Sequence, residues 1–203
     1  MTESAPPLER GSSAARARFR WSARRVFDLI VFRTYADLRA EVERTYLGFL
    51  WWIFEPLMFM AVFYYVFGVL RGTGGVEYVA MLLVGLVFWQ WIKSGISHSS
   101  DSITHSLFLM RQVRLPAALV PLMVISTDTV KFAFVLVILL IALWALGYPP
   151  TLSWLQLPLI LFTALLLIVG AGTLIAAWCP LFPDLKFVVE TLLLLMMFLS
   201  GVF

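Results

Sequence analysis

The sequence is poor in cysteine, histidine and charge, the features on which disulfide frameworks, metal centres and soluble surfaces depend. A single cysteine, Cys179, stands among 203 residues, which excludes an internal disulfide framework. Charged residues make up 13% of the chain, against roughly 25% in soluble domains, whereas hydrophobic residues make up 62%. The chain is therefore predicted to be an all-α integral membrane protein, and no nucleic-acid partner is expected.

A phosphate-binding loop is also lacking. The pattern G-x-x-x-x-G-K-[ST] does not occur, and the glycine-rich stretches GTGG (72–75) and GAGT (170–173) lack the lysine that contacts phosphates. We expect no cofactor-binding and no catalytic residue on this chain. An activity driven by ATP would therefore require a second chain that binds the nucleotide.

The N-terminal region divides into a tail and an amphipathic helix. Residues 1–18 contain no apolar core of the length of a secretory signal, so they are predicted to form a flexible cytoplasmic tail. Over 19–45, apolar residues recur at helical spacing opposite charged ones, and nine of the fifteen basic residues precede Tyr46. This pattern predicts a helix that lies on anionic membrane lipid. Packing against a soluble partner is the alternative.

Residues 46–203 are predicted to form a transmembrane domain with five helices. Windows of the roughly 20 apolar residues that cross a bilayer fall at 47–70, 76–97, 117–147, 155–179 and 185–203. Basic residues flank the second and fourth connections between these windows, which by the positive-inside rule places both connections and the N-terminus in the cytoplasm. Because the sequence stops within an apolar run, we expect further residues to follow Phe203.

Several short motifs, in order along the chain, resemble one family of transport proteins. They are Arg44 with LGFLW (47–51), Pro56 and VFG (66–68), then GLVFW (85–89), LMRQVRLP with VPL (109–122), and LFPD (181–184). Together they cover about residues 40–203. In this combination they resemble the permease subunits of bacterial ABC exporters for polysaccharides and polyol phosphates.

The resemblance implies a fold, a function and partners. A full-length member has six transmembrane helices in the cytoplasmic (inner) membrane, and two copies pair around a channel as a homodimer. Separate ATP-binding subunits dock beneath them, and a lipid-linked polysaccharide of the O-antigen or capsule kind moves outward as ATP is hydrolysed. The chain would then be a transport subunit and not an enzyme. Two alternatives stay open: an ion-driven secondary carrier, and an ABC permease for small molecules or drugs.

The polar stretch 98–116 is the predicted contact with an ATP-binding subunit, because it is the longest cytoplasmic connection between spans. In this interpretation Leu107, Phe108 and Met110 fill a cleft on that subunit. Arg111 and Arg114 fix its orientation. The alternative is a simple connection whose arginines bind lipid phosphates.

The same stretch contains His98, Asp101 and His105, which at spacing i, i+3 and i+7 would share one face of a helix. Two histidines and a carboxylate are of the ligand types that bind zinc. The surroundings are rich in Ser and Thr, and no second acidic cluster stands near them. We therefore expect no metal site and interpret both histidines as surface residues.

Glu55 is a carboxylate near the start of the first predicted span. Trp51 and Trp52 have the character of an interfacial anchor, so Glu55 lies about one helical turn below it, and Pro56 loosens the local helix. A charge at the bilayer centre costs roughly 2.5–3.5 kcal/mol on insertion scales, so this one is expected to face protein or water. Glu55 is predicted to form a cytoplasmic gate, paired with Lys93 or with a basic residue of the amphipathic helix. A charge that snorkels to the interface is the alternative.

Asp128 and Lys131 are a second pair of charges inside a predicted span. Their spacing of i, i+3 places them on one face of the helix, where each would neutralise the other. The pair either lines a hydrated path for sugars or locks two helices together. The lock is the favoured interpretation, because one ion pair does not recognise a large polar glycan.

Aromatic side chains are the candidate contacts for sugar rings, because their faces stack on pyranose rings without demanding one hydroxyl pattern. The candidates in the first two spans are Phe59, Phe63, Tyr64, Phe88 and Trp89. Helix packing or lipid contact is the alternative for each. Gly170, Gly172 and Ala176 are predicted to form a small-residue surface that lets a neighbouring helix approach closely.

Overall fold

The structure is a computed structural model that describes residues 23–44, 46, 48–69, 75–112, 116–149 and 152–200. Within these ranges, the side chains of residues 23, 67, 69, 76, 107–112 and 153 lie outside the description. The tail predicted over 1–18 also lies outside the described residues. The described part is helical, with no strand in it, so the all-α prediction is confirmed.

Six α-helices follow one another along the described ranges. They are α1 (Ala23–Arg44), α2 (Leu50–Phe63), α3 (Val76–Gln112), α4 (Leu119–Ala145), α5 (Leu157–Trp178) and α6 (Leu185–Leu199). A π-helix, Tyr64–Val69, continues α2, and a 3-10 helix, Leu152–Gln156, precedes α5. Helices α2, α4, α5 and α6 each lie within one predicted apolar window, whereas α3 begins with the window 76–97 and continues beyond it.

Among the described residues, three helices are long and apolar enough to cross a membrane. In the described ranges these spans are Glu77–Ser106, Leu119–Ala145 and Trp154–Trp178. The apolar stretch Leu50–Val66 is shorter, and α6 has 15 residues. Three of the five predicted spans therefore contain a helix that is long enough to cross a membrane. The other two, which contain α2 and α6, have shorter apolar helices.

Helix α3 is longer than predicted. It runs without a break for 37 residues, so the stretch 98–116, predicted as a connection, is helical as far as Gln112. Its serines do not break the helix, because Ser99, Ser100 and Ser102 donate hydrogen bonds to backbone carbonyls three or four residues earlier. At 1.5 Å per residue α3 is roughly 55 Å long and exceeds a bilayer core of about 30 Å.

Helix α3 is also the centre of the bundle, and it packs against α2, α4, α5 and α6. In the core between α3 and α4, the Trp91 ring stacks on Phe132 with ring centroids 4.1 Å apart and planes 6° from parallel. The Trp91 indole N–H also donates a hydrogen bond to the Thr129 hydroxyl at 3.3 Å. These contacts fix the rotation of α3 relative to α4.

Small residues allow α3 and α5 to approach closely. A Cβ atom added at Gly172 would lie 2.9 Å from the Ser99 hydroxyl, and Ala176 is fully buried. The prediction of a packing surface is confirmed for these two residues. It is wrong for Gly170, which is exposed and where an added Cβ atom would meet no other atom within 4 Å.

Helix α1 packs mainly against α4. Its apolar residues Phe27, Val31 and Tyr35 are at least half exposed, while salt bridges Arg33–Asp37 and Arg39–Glu43 lie along its surface. Thus α1 does not bury these apolar residues within the described part of the chain. A membrane-surface position for it stays a prediction.

Candidate functional site

Two adjoining cavities lie along helix α3. The large cavity, of about 500 Å³, lies between α2, α3 and α6, and the small cavity, of about 120 Å³, lies between α1, α2, α3 and α4. Five residues line both cavities: Glu55, Pro56, Gln90, Ser94 and His98. The cavities therefore meet at the wall that these residues form.

A polar stripe on α3 faces the large cavity. Its members recur at spacing i, i+3, i+4, i+7 and i+8, so they share one face of the helix: Gln90, Lys93, Ser94, Ser97 and His98. The Ser97 hydroxyl lies 3.5 Å from a carboxylate oxygen of Glu190 on α6. The prediction from sequence missed Gln90, Ser94 and Ser97, although their helical spacing was a signal that could have found them.

The aromatic candidates divide between the large cavity and the core. Phe59 and Trp89 line the large cavity. Phe63 is buried in an apolar cluster against which Tyr64 packs. Phe88 meets Phe132 edge to face, with ring centroids 5.4 Å apart. The structure therefore brings two of the five predicted aromatic residues to the cavity and places the other three in packing contacts.

A chain of charged side chains borders the small cavity. Lys131 Nζ lies 2.5 Å from a carboxylate oxygen of Glu41 on α1 and 3.6 Å from one of Asp128. The other Asp128 oxygen lies 2.8 Å from His98 Nδ1 on α3. The Trp52 indole N–H donates a hydrogen bond to Glu41 at 3.0 Å. The predicted Asp128–Lys131 pair is present, and it extends into a network that joins side chains from four helices.

The Asp128 side chain is 4% exposed, so its charge is nearly removed from water. A buried carboxylate is tolerated when a cation and hydrogen-bond donors replace its lost hydration, as Lys131 and His98 do here. The network fits the interpretation as a helix lock, because it links α1, α4 and α3. It also lines the small cavity, so a role beside a hydrated path stays a prediction.

Glu55 lies in the wall shared by the two cavities. Lys93 lines the same large cavity, but no salt bridge joins the two residues, and Glu55 has no ion-pair partner among the described residues. Among the described residues the predicted pairing of Glu55 is therefore absent, and Glu55 and Lys93 both border the large cavity without an ion pair. The gate role itself stays a prediction.

The candidate zinc ligands take part in two separate polar clusters. His98 is bonded to Asp128, whereas Asp101 lies 3.2 Å from Lys186 Nζ and 3.7 Å from His105. Within the described ranges, no group of three or more His, Cys, Asp or Glu side chains is arranged to hold a metal ion. The expectation that this chain carries no metal stays an expectation.

The residues predicted to contact an ATP-binding subunit fall at the end of α3. Residues 107–112 continue the helix, but the side chains of Leu107, Phe108, Met110 and Arg111 lie outside the described residues. Arg114 lies outside them entirely. The coupling contact therefore stays a prediction.

Comparison with known proteins gives one consistent result. Residues 35–203 match the family described as ABC-2 type transporter. Two proteins of Klebsiella pneumoniae, each named O-antigen export system permease protein RfbA, are 26% identical to the chain over 178 residues, which are 87% of this chain and 69% of each relative. A protein of Myxococcus xanthus with the same name is 27% identical over 174 residues, which are 86% of this chain and 67% of that relative.

Proposed function

Because the chain belongs to the ABC-2 type transporter family, we propose that it is the membrane permease of an exporter that carries a lipid-linked polysaccharide of the O-antigen class out of a bacterial cell. The observation that carries this proposal is the similarity, over 87% of the chain, to proteins named O-antigen export permeases. The names of these relatives do not support the two alternatives, an ion-driven carrier and a permease for drugs. The family resemblance inferred from the sequence motifs is confirmed.

The large cavity supports a polar, ring-shaped cargo. It combines the hydroxyl, amide and charged groups of the α3 stripe with the aromatic side chains of Phe59 and Trp89. Ligand sites join apolar surface to a few placed polar groups, and aromatic faces accept sugar rings in many orientations. A polysaccharide that slides through the membrane needs both kinds of contact. We assign the large cavity to its path.

The energy source in this proposal is a separate ATP-binding subunit. The sequence contains no phosphate-binding loop, and the ABC-2 family consists of transport subunits. Helix α3, at 37 residues, is long enough to extend beyond the bilayer, and its end carries Leu107, Phe108, Met110 and Arg111. We place the docking contact there, together with Arg114. The functional unit is then two copies of this chain with their ATP-binding subunits.

The orientation in this proposal follows the distribution of basic residues. Nine of the fifteen precede Tyr46, which favours a cytoplasmic N-terminus in the inner membrane. Helix α1 then lies on the cytoplasmic surface, and the end of α3 beyond residue 106 reaches the cytoplasm. The glycan enters from this side and leaves on the other.

Depletion of the chain in the source bacterium tests the proposal. We expect surface polysaccharide to be lost and its lipid-linked precursor to accumulate inside the cell, because synthesis continues while export stops. Re-expression of the chain restores export only when the ATP-binding subunit retains its phosphate-binding lysine. Unchanged surface polysaccharide after depletion, or restoration without ATP hydrolysis, would contradict the proposal.

A further inference from the structure

We propose that the small cavity binds one pyranose ring of the transported glycan, with the Glu55 carboxylate as acceptor for sugar hydroxyls. This inference rests on the proposed function, because it names a contact within the same substrate. It assigns a role to a carboxylate of α2 that has no ion-pair partner among the described residues. The lining, the charges, the size and the position of the cavity each support it.

The lining of the small cavity has the chemistry of a carbohydrate site. Trp51, Trp52 and Trp91 contribute aromatic surface. Gln90 and Ser94 contribute an amide and a hydroxyl, which both donate and accept hydrogen bonds. A pyranose ring presents apolar C–H faces and a rim of hydroxyl groups, so it uses both parts of this lining.

The charges around the cavity favour a neutral ligand over an anion. Lys131 is held between Glu41 and Asp128, and His98 is bonded to Asp128, so the cations that line the small cavity are occupied by carboxylates. A phosphate group would find no unoccupied cation among the described lining residues. It would also meet the charge of Glu55. Sugar hydroxyls avoid both problems, because they donate hydrogen bonds to a carboxylate.

Glu55 is the one carboxylate of the described lining without an ion pair. Glu41 and Asp128 are both engaged by Lys131. A carboxylate within a membrane helix is costly unless water or polar partners satisfy its oxygens. Before glycan binds, water satisfies Glu55, and on binding two sugar hydroxyls replace that water. Hydrogen bonds to a charged acceptor are about twice as strong as neutral ones, which makes this carboxylate the main source of affinity.

The size and position of the cavity fit a single ring of a longer chain. A cavity of about 150 Å³ in another protein holds one benzene molecule, so the 120 Å³ found here receives one edge of a sugar ring, and the rest of that ring lies in the adjoining large cavity. Because the small cavity shares Glu55, Gln90 and Ser94 with the large cavity, a sugar bound there continues directly into the proposed path. The cavity also borders α1 through Glu41, on the side from which the glycan enters.

The test uses the full chain with its ATP-binding subunits in lipid nanodiscs. The probe is lipid-linked glycan extracted from the same bacterium, and the measured quantity is the glycan concentration that gives half-maximal stimulation of ATP hydrolysis. We expect Glu55→Gln to raise that concentration about tenfold, because a charged acceptor becomes neutral at nearly constant shape. Gln90→Leu, which removes a second hydrogen-bonding group, raises it by at least about threefold.

The matched control is Glu77→Gln, which makes the same chemical change at an exposed position of α3 that lines neither cavity. Its half-maximal concentration stays at the wild-type value. Co-purification of the ATP-binding subunit with each variant shows that the variant is folded. If Glu55→Gln has the same half-maximal glycan concentration as wild type, Glu55 does not bind the glycan and the proposed site is wrong.

A second measurement needs no variant. A short lipid-linked oligosaccharide whose sugars carry diazirine groups is cross-linked to the wild-type transporter, and the labelled peptides are identified by mass spectrometry. We expect labels on Trp51, Trp52 or Gln90. Labels confined to other residues overturn the site but leave the proposed function standing. If no glycan stimulates ATP hydrolysis or is exported by wild type, the proposed function fails and the site fails with it.

Discussion

Lys131 on α4 lies 2.5 Å from Glu41 on α1 and only 3.6 Å from Asp128, three residues earlier in its own helix. One ammonium group therefore holds the N-terminal helix against the bundle and also compensates a nearly buried carboxylate. The two roles cannot be separated by changing Lys131 alone. They make Lys131 the residue whose loss should affect stability most among the described lysines.

Replacement of Lys131 by methionine tests this network. The change leaves Asp128 buried beside His98 without its lysine and releases Glu41, so we expect the folded transporter to lose about 3 kcal/mol of stability. Lys186→Met is the control, because the Lys186–Asp101 pair is about one-third exposed and such pairs contribute roughly 0–1 kcal/mol. Thermal unfolding of the purified protein in detergent measures both. Equal losses would show that the network is not a lock.

Two glycines of α5 offer a matched test of the packing between α3 and α5. Gly172→Ala places a methyl group 2.9 Å from the Ser99 hydroxyl, so we expect a loss of about 1–3 kcal/mol from overpacking. Gly170→Ala adds a methyl group that has no other atom within 4 Å, so the change should stabilise the helix by roughly 0.5–1 kcal/mol. The same unfolding measurement compares them. We expect the free energy of unfolding to fall for Gly172→Ala and to rise for Gly170→Ala. A rise for Gly172→Ala would contradict the close approach of α3 and α5.

The polar stripe of α3 predicts which face lies along the glycan path. Ser97→Phe fills part of the large cavity with an aromatic ring, so we expect export to fall at least about tenfold while the complex still assembles. Thr163→Phe on an exposed part of α5 is the control for adding the same ring elsewhere. Surface polysaccharide in cells that express each variant is the measurement. Normal export by Ser97→Phe would place the path outside this cavity.

Charge reversal tests the proposed docking contact. Arg111→Glu with Arg114→Glu should abolish co-purification of the ATP-binding subunit, because the change replaces two attractive charges with two repulsive ones. Arg24→Glu with Arg33→Glu makes the same charge change on exposed positions of α1. That control should retain the subunit. If the ATP-binding subunit still co-purifies after both charges are reversed, Arg111 and Arg114 do not bind that subunit. Their role would then be the alternative one, binding of lipid phosphates.

The helices were predictable from sequence because an apolar run of membrane-crossing length leaves the backbone no alternative to helix. The end of the second predicted span was wrong for a local reason. Polar residues from His98 onward indicated a connection, but serine hydroxyls bond to the carbonyls of their own helix and let α3 continue to Gln112. Composition alone does not distinguish these outcomes.

The candidate site was less predictable because hydropathy does not give the rotation of a helix. The charges Glu55, Asp128 and Lys131 were identifiable as exceptions to an apolar pattern. The partner of Lys131 was not, since Glu41 lies 90 positions earlier in a separate helix. Likewise, no sequence pattern distinguished Phe59, which lines the large cavity, from Phe63, which is buried one turn later.

The most direct test of ATP-driven export is movement of lipid-linked glycan in sealed vesicles that contain only this chain and its ATP-binding subunit. Glycan added on the side that carries the ATP-binding subunit is followed by its protection from an added glycosidase. We predict that protection develops with ATP, does not develop with a non-hydrolysable analogue, and is unaffected when ion gradients are collapsed by ionophores. Protection that requires an ion gradient and proceeds without ATP hydrolysis would contradict ATP-driven export by this chain.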